Sequence, residues 1–220
     1  MRILFLTNDF FPVWGGIGSY SVNLISKMDA EITVVAPRRK SFDGFENLDD
    51  VLKLPKNVEL IYLCEAKDTF LYNAKFQLSL KKNIANLLGK YDYDLIHTQS
   101  SMPDLLLDIN MIKIPVITTI HTTVVGQANA IKNSEIKFFD LEKSEKMNLA
   151  TYRLFKYIEY YYYKQRKYFI TVSEWGKKNL SQELGIEHKL LKVIYNGVEP
   201  SKYYSTKKGK VKILFLSRLI

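Results

Sequence analysis

Apolar residues in this chain come as short continuous runs, separated by longer stretches in which they recur at every third or fourth position. The runs at 2–7, 31–36, 58–63, 94–98, 115–121, 168–173 and 191–195 have the length and β-branched content of strands covered on both faces. Between them Tyr20, Leu24 and Met28 keep a helical period over 19–28, and Phe76, Leu80, Ile84 and Leu87 keep it up to Gly89. A further helix is predicted over about 103–111, a long amphipathic one over about 144–166 marked by Met147, Leu154, Ile158 and Tyr161, and another over 174–184 ending at Gly185. Pro37 is expected to close the second strand, and the polar stretch 38–57 to form a surface excursion.

Strands alternating with helices predict an α/β fold, a Rossmann-like doubly wound parallel sheet. In such sheets ligands bind outside the carboxyl ends of the strands, near a topological switch point. The loops at 8–18, 97–101, 121–126, 173–174 and 196–197 are therefore the first places to look. Residues 211–220 repeat the character of the first six, a basic residue followed by an apolar run. This predicts one domain over 1–205 and the opening strand of a second over 206–220.

Composition narrows the class. With 47% hydrophobic and 25% charged residues the chain reads as a globular protein. No apolar run approaches the roughly 18–20 residues of a membrane span, and Thr7-Asn8-Asp9 interrupts the first run too early for a signal peptide. A cytoplasmic protein is expected. The single Cys64 forms no intramolecular disulfide, and three histidines without ligand spacing give no metal signature. The formal charge of +9 points to an anionic partner, whether nucleic acid, membrane surface or phosphorylated small molecule, although scattered lysines fit plain solubilising charge equally well.

Three glycines, Gly15, Gly16 and Gly18, precede the first predicted helix, where unpaired amides and the helix dipole favour an anion. Close packing of helix on sheet is the competing explanation for them. They do not fit the dinucleotide fingerprint, because Ser21 stands where its third glycine belongs. His121, at a strand end, can hydrogen-bond a substrate hydroxyl or act as acid or base; a histidine satisfied by a neighbouring carbonyl is the alternative. His97 carries the same ambiguity and leans structural, and Glu174 can be simply a first-turn charge. The run Tyr160 to Tyr163 could belong to a basic aromatic belt on a membrane interface, but four consecutive tyrosines point all round a helix, so one or two belong in the core.

Taken in order, Pro12-Val-Trp-Gly-Gly16, Asp94-Leu-Ile-His97, Pro115 to His121, Ile170-Thr-Val-Ser173, Lys192 to Val198 and Ile213 to Leu219 resemble the amino-terminal half of a retaining GT-B glycosyltransferase of family 4. The resemblance implies the first half of a GT-B fold, whose amino-terminal domain mainly binds acceptor and whose carboxy-terminal domain binds most of the nucleotide sugar. It places Gly15, Gly16 and Arg218 on the donor diphosphate and His121 at the reaction centre. Asn8, Asp9, Ile17, His97 and Glu174 become candidates for contacts to acceptor or sugar. It implies no cofactor or metal, a nucleotide-diphosphate sugar as co-substrate, a carbohydrate or lipid-linked acceptor, and a carboxy-terminal partner domain. Nucleic acid is not among the implied partners, and peripheral membrane contact stays open. It further implies that this stretch alone does not transfer sugar. Gln99, standing where a second histidine often follows the first, and Glu199, replacing an aspartate, are given no role. The rival class is a non-catalytic basic α/β module that binds anionic membrane or nucleic acid.

Overall fold

A computed structural model of the chain describes residues 1–10, 16–39, 54–66, 72–99 and 102–197. Gly15, Arg218 and the strand expected within 206–220 lie outside the described residues.

Seven parallel strands form one sheet in the order β3-β2-β1-β4-β5-β6-β7. They are β1 (Arg2–Leu6), β2 (Glu31–Arg39), β3 (Val58–Ala66), β4 (Leu95–Gln99), β5 (Val116–Ile120), β6 (Tyr168–Thr171) and β7 (Leu191–Val193). The helices are α1 (Gly16–Ile25), α2 (Tyr72–Lys90), α3 (Val124–Asn133), α4 (Lys143–Lys164) and α5 (Glu174–Leu184). The chain winds outward from β1 to β3, then α2 carries it back to β4 on the other side of β1. The switch point predicted by an alternating α/β pattern thus lies between β1 and β4.

Alternation along β1 explains why its sequence is apolar throughout. Ile3 and Phe5 pack with Ile25, Ile32 and Val34 on the α1 face, whereas Leu4 and Leu6 pack with Phe76, Leu80 and Ile96 on the α2 face. A third cluster, containing Tyr162, Tyr163, Phe169, Leu180 and Leu184, joins α4 and α5 to β6.

Several boundaries differ from the sequence expectation for identifiable reasons. Helix α1 starts at Gly16 rather than Ser19, and its buried face is Gly18, Ser21 and Ile25, with Tyr20, Leu24 and Met28 only partly covered. Pro37 does not end β2: the strand continues to Arg39 across a register shift between Ala36 and Arg38, a place where a residue lacking N–H is tolerated. Gly89 lies inside the last turn of α2. No α-helix forms over 103–111, where the chain makes tight turns and a single 3₁₀ turn at Ile109–Met111 capped by Asp108. Helix α3 was not expected, its only sequence cue being the N-cap Thr123.

Of the four tyrosines, Tyr162 and Tyr163 are buried while Tyr160 and Tyr161 face solvent. Helix α5 and its stop agree with the expectation: Gly185 takes the left-handed conformation, φ +66°, and its N–H bonds to the Ser181 carbonyl.

Candidate functional site

At the carboxyl end of β1, Thr7 turns the chain by accepting the Asp9 N–H at 3.2 Å and donating its hydroxyl to the Asp9 carbonyl at 2.8 Å. This brings Asn8 into the interior and lays the Asp9 carboxylate against α1. A Cβ placed on Gly18 would come within 2.9 Å of the Phe10 carbonyl oxygen and 3.1 Å of Asp9 Oδ1, so this glycine permits a close approach of helix to loop. One placed on Gly16 would meet no atom of the described residues within 4 Å. The two readings of the glycines therefore divide between residues: Gly18 serves packing, and Gly16, in the first turn of α1, has no such contact among the described residues. Ile17, between them, is half-buried.

The neighbouring helix N-termini are differently furnished. At α3, Thr123 accepts the Gly126 N–H at 2.8 Å and donates to Glu183 Oε2 at 3.1 Å, while both oxygens of the buried Glu159 carboxyl lie within 3.1 Å of the Val124 nitrogen. Burial pushes Glu159 up to about 7 against the pull of these amides. At α5, Ser173 accepts the Gly176 N–H at 3.0 Å and Glu174 supplies a first-turn charge, exposed to solvent. The first turn of α1 holds no acidic residue. No carboxylate of that turn answers its amide dipoles, although the Asp9 carboxylate lies against Gly18 from the preceding loop.

Between these helices a polar chain crosses the buried sheet. Residues of odd number on β4 and β5 share the α1 face, and the register sets His97 opposite Ile117 and Gln99 opposite Thr119. His97 Nε2 lies 2.8 Å from Thr119 Oγ1 and 3.2 Å from Gln99 Nε2; Gln99 Oε1 lies 3.1 Å from His121 Nε2. In this amide orientation Gln99 donates to His97 and accepts from His121, which fixes the His121 proton on Nε2. The Tyr20 ring stands edge-on to His121 at 4.5 Å, and its phenol hydrogen-bonds Thr119, with burial pushing it above its ordinary value.

Burial lowers both imidazoles to about 4, His97 also through the proximity of His121. Near neutral pH His121 is therefore an uncharged, oriented hydrogen-bonding group. A general base is most effective with a value near the working pH, and burial holds His121 well below it. His97 is buried, with the Phe5 ring edge-on at 5.0 Å.

Asn8, Asp9, Gly16, Ile17, His97 and His121 all stand in the elements around the β1–β4 switch point, and Glu174 stands at the head of α5, after β6. Residue-type reasoning missed Gln99, Tyr20, Thr119 and Glu159. The period of two could have flagged Gln99 and Thr119 as face-mates of the two histidines, but Tyr20 and Glu159 come from distant helices.

Comparison with known proteins places these features in a context. The model of Glycosyltransferase Family 4 matches residues 14–202. Among solved structures, sucrose-phosphate synthase from Thermosynechococcus elongatus is similar with a TM-score of 0.66 at 15% identity, over 92% of this chain and 50% of that one. Phytolacca americana UGT2, in complex with UDP-2-fluoro-glucose and pterostilbene, is similar with a TM-score of 0.54 at 11% identity, over 92% of this chain and 56% of that one. The chain thus spans about half the length of these structures, matching the first half of a GT-B fold. No curated protein matches its sequence. With most of its length matched by the family model, the chain belongs to Glycosyltransferase Family 4.

Proposed function

We propose that this chain is the acceptor-side half of a retaining glycosyltransferase that moves a hexose from a nucleotide-diphosphate sugar to a carbohydrate or lipid-linked acceptor. The observation that carries the reading is the contrast among helix N-termini. Those of α3 and α5 are answered by the protein's own carboxyl or hydroxyl groups, whereas α1 has no acid in its own first turn, the Asp9 carboxylate reaches it only at Gly18, and a Cβ on Gly16 would meet no atom of the described residues within 4 Å. A donor diphosphate fits there, with the acceptor hydroxyl held by neutral His121.

Leaving-group charge is stabilised on this reading by the α1 amides together with cationic groups such as Arg218, and positioning supplies much of the rate. The anion–dipole interaction contributes roughly 0.3–1 kcal/mol, so it orients the diphosphate more than it grips it.

The test is a panel of nucleotide sugars assayed with the full-length gene product, followed by His121→Ala and Gly16→Val. Transfer from one donor, lowered about 100-fold or more in kcat by His121→Ala with the melting temperature unchanged, is expected. Gly16→Val is expected to weaken competition by the nucleoside diphosphate. Full activity of His121→Ala would overturn the assignment. A non-catalytic basic module would instead bind anions in a purely salt-dependent way, with no change on Gly16→Val.

A further inference from the structure

Helix α4 has a solvent face that the glycosyltransferase reading leaves without a role. Leu154, Tyr157, Tyr160 and Tyr161 are 60%, 61%, 41% and 45% exposed. At the α-helical repeat they fall, with Lys146, Arg153 and Lys164, within one arc of about 120°. The opposite side of the same helix supplies Tyr162 and Tyr163 to the core. At the start of α4 the face continues into the turn at Phe138–Asp140, where Lys146 Nζ bonds the Phe139 carbonyl at 2.8 Å and stands 5.9 Å from the Phe138 ring. Phe139 is 88% exposed.

Beyond the first turn of α4 the exposed charge on this face has one sign, while Asp140 and Glu142 stand exposed at its start. From Lys146 to Ser173 the sequence holds one acidic residue, Glu159, and it is buried under α3. Arg153, Lys156, Lys164 and Lys167 are all exposed along the same stretch. We propose that the solvent face of α4 is a docking surface for an anionic lipid bilayer, with the tyrosines at headgroup depth and the basic residues against lipid phosphates.

Two features select a bilayer over a nucleic acid. The surface is the convex side of one long helix, whereas single strands are held in a basic groove with ring faces offered for stacking. Here Tyr157 and Tyr161 pack on each other at 4.4 Å and Tyr160 stands edge-on to Tyr161 at 5.6 Å, so the rings are engaged with one another. Tyrosine and leucine interspersed with lysine and arginine on one helix face supply both the aromatic anchors and the positive charge that an anionic bilayer surface attracts.

Flotation of the 220-residue chain with phosphatidylcholine vesicles, with and without phosphatidylglycerol, tests this at low and high salt. Binding is expected only with phosphatidylglycerol, decreasing with salt. Arg153→Glu with Lys164→Glu should weaken it at least about tenfold, while Lys81→Glu with Lys82→Glu on α2, the same change of net charge, leaves it within about twofold. Tyr157→Ser with Tyr161→Ser should reduce the binding that persists at high salt. The far-ultraviolet circular dichroism of all variants should match the parent, because every altered side chain is at the surface. Equal binding to neutral vesicles, equal losses in the α2 and α4 variants, or preference for an RNA oligomer over the vesicles would each overturn the proposal.

Discussion

Gly16 and Gly18 are two residues apart on one helix and do different things. At Gly18 a methyl group would press on the Phe10 carbonyl, a backbone atom that cannot swing aside. Gly18→Ala is therefore expected to destabilise by about 1–3 kcal/mol, whereas Gly16→Ala, with no contact to the described residues and better helix propensity, should be neutral or slightly stabilising. Urea melts of the two variants check this.

The buried histidines make a second expectation at this scale. Their values fall from 6.5 unfolded to about 4 folded, so between these limits the unfolded chain binds more protons. Stability is then full above about pH 6.5 and is lost as pH falls toward 4, by of order 3 kcal/mol per imidazole at most. Glu159 works in the opposite sense. Raised from 4.5 to about 7, it favours the folded state at low pH and that contribution is lost as pH rises through 7. Two imidazoles outweigh one carboxyl, so urea midpoints should fall between pH 7 and pH 5, and fall more steeply in Glu159→Gln.

At the scale of elements, the loop after β4 is tied to α4 by a buried ion pair. Arg166 Nη2 meets Asp104 Oδ2 at 2.7 Å with both side chains 1% exposed, and the Tyr162 hydroxyl donates to Asp104 Oδ1 at 2.5 Å. From the other side Gln77 on α2 donates to the Met102 carbonyl at 2.7 Å, where the backbone has φ +53°. These bonds hold the segment in tight turns where a helix was expected over 103–111, with Asp104 directed inward to Arg166. Arg166→Met removes the ionic partner of the buried Asp104 carboxyl, and should cost about 3–5 kcal/mol. Adding Asp104→Leu should recover much of that loss, which a double-mutant cycle in urea measures.

For the whole molecule, strand order does what no single element can. It sets β1 beside β4, so that the turn at Thr7 to Asp9, the start of α1 and the Gln99–His121 pair converge from segments far apart in sequence. The chain spans about half the length of the solved structures it resembles. On the proposed function the other half supplies most of the donor site, so the 220-residue chain is expected to bind acceptor weakly and give no transfer. Detectable turnover by the purified chain would refute that expectation.

What the sequence by itself determined is whatever acts over a few residues. Runs such as Ile3 to Leu6 declared strands covered on both sides, Gly185 ended α5, and the order of strands and helices implied a parallel sheet whose ligands sit at strand ends. Only the tertiary structure decided the rest. The period of two puts His97, Gln99, Thr119 and His121 on common faces, but the register between β4 and β5 makes Gln99 the bridge, and register is set by packing across the sheet. Helical periodicity likewise allowed any of the four tyrosines to turn inward. Burial of Tyr162 against Asp104 and Arg166 fixed the rotation of α4, leaving Tyr160 and Tyr161 outside.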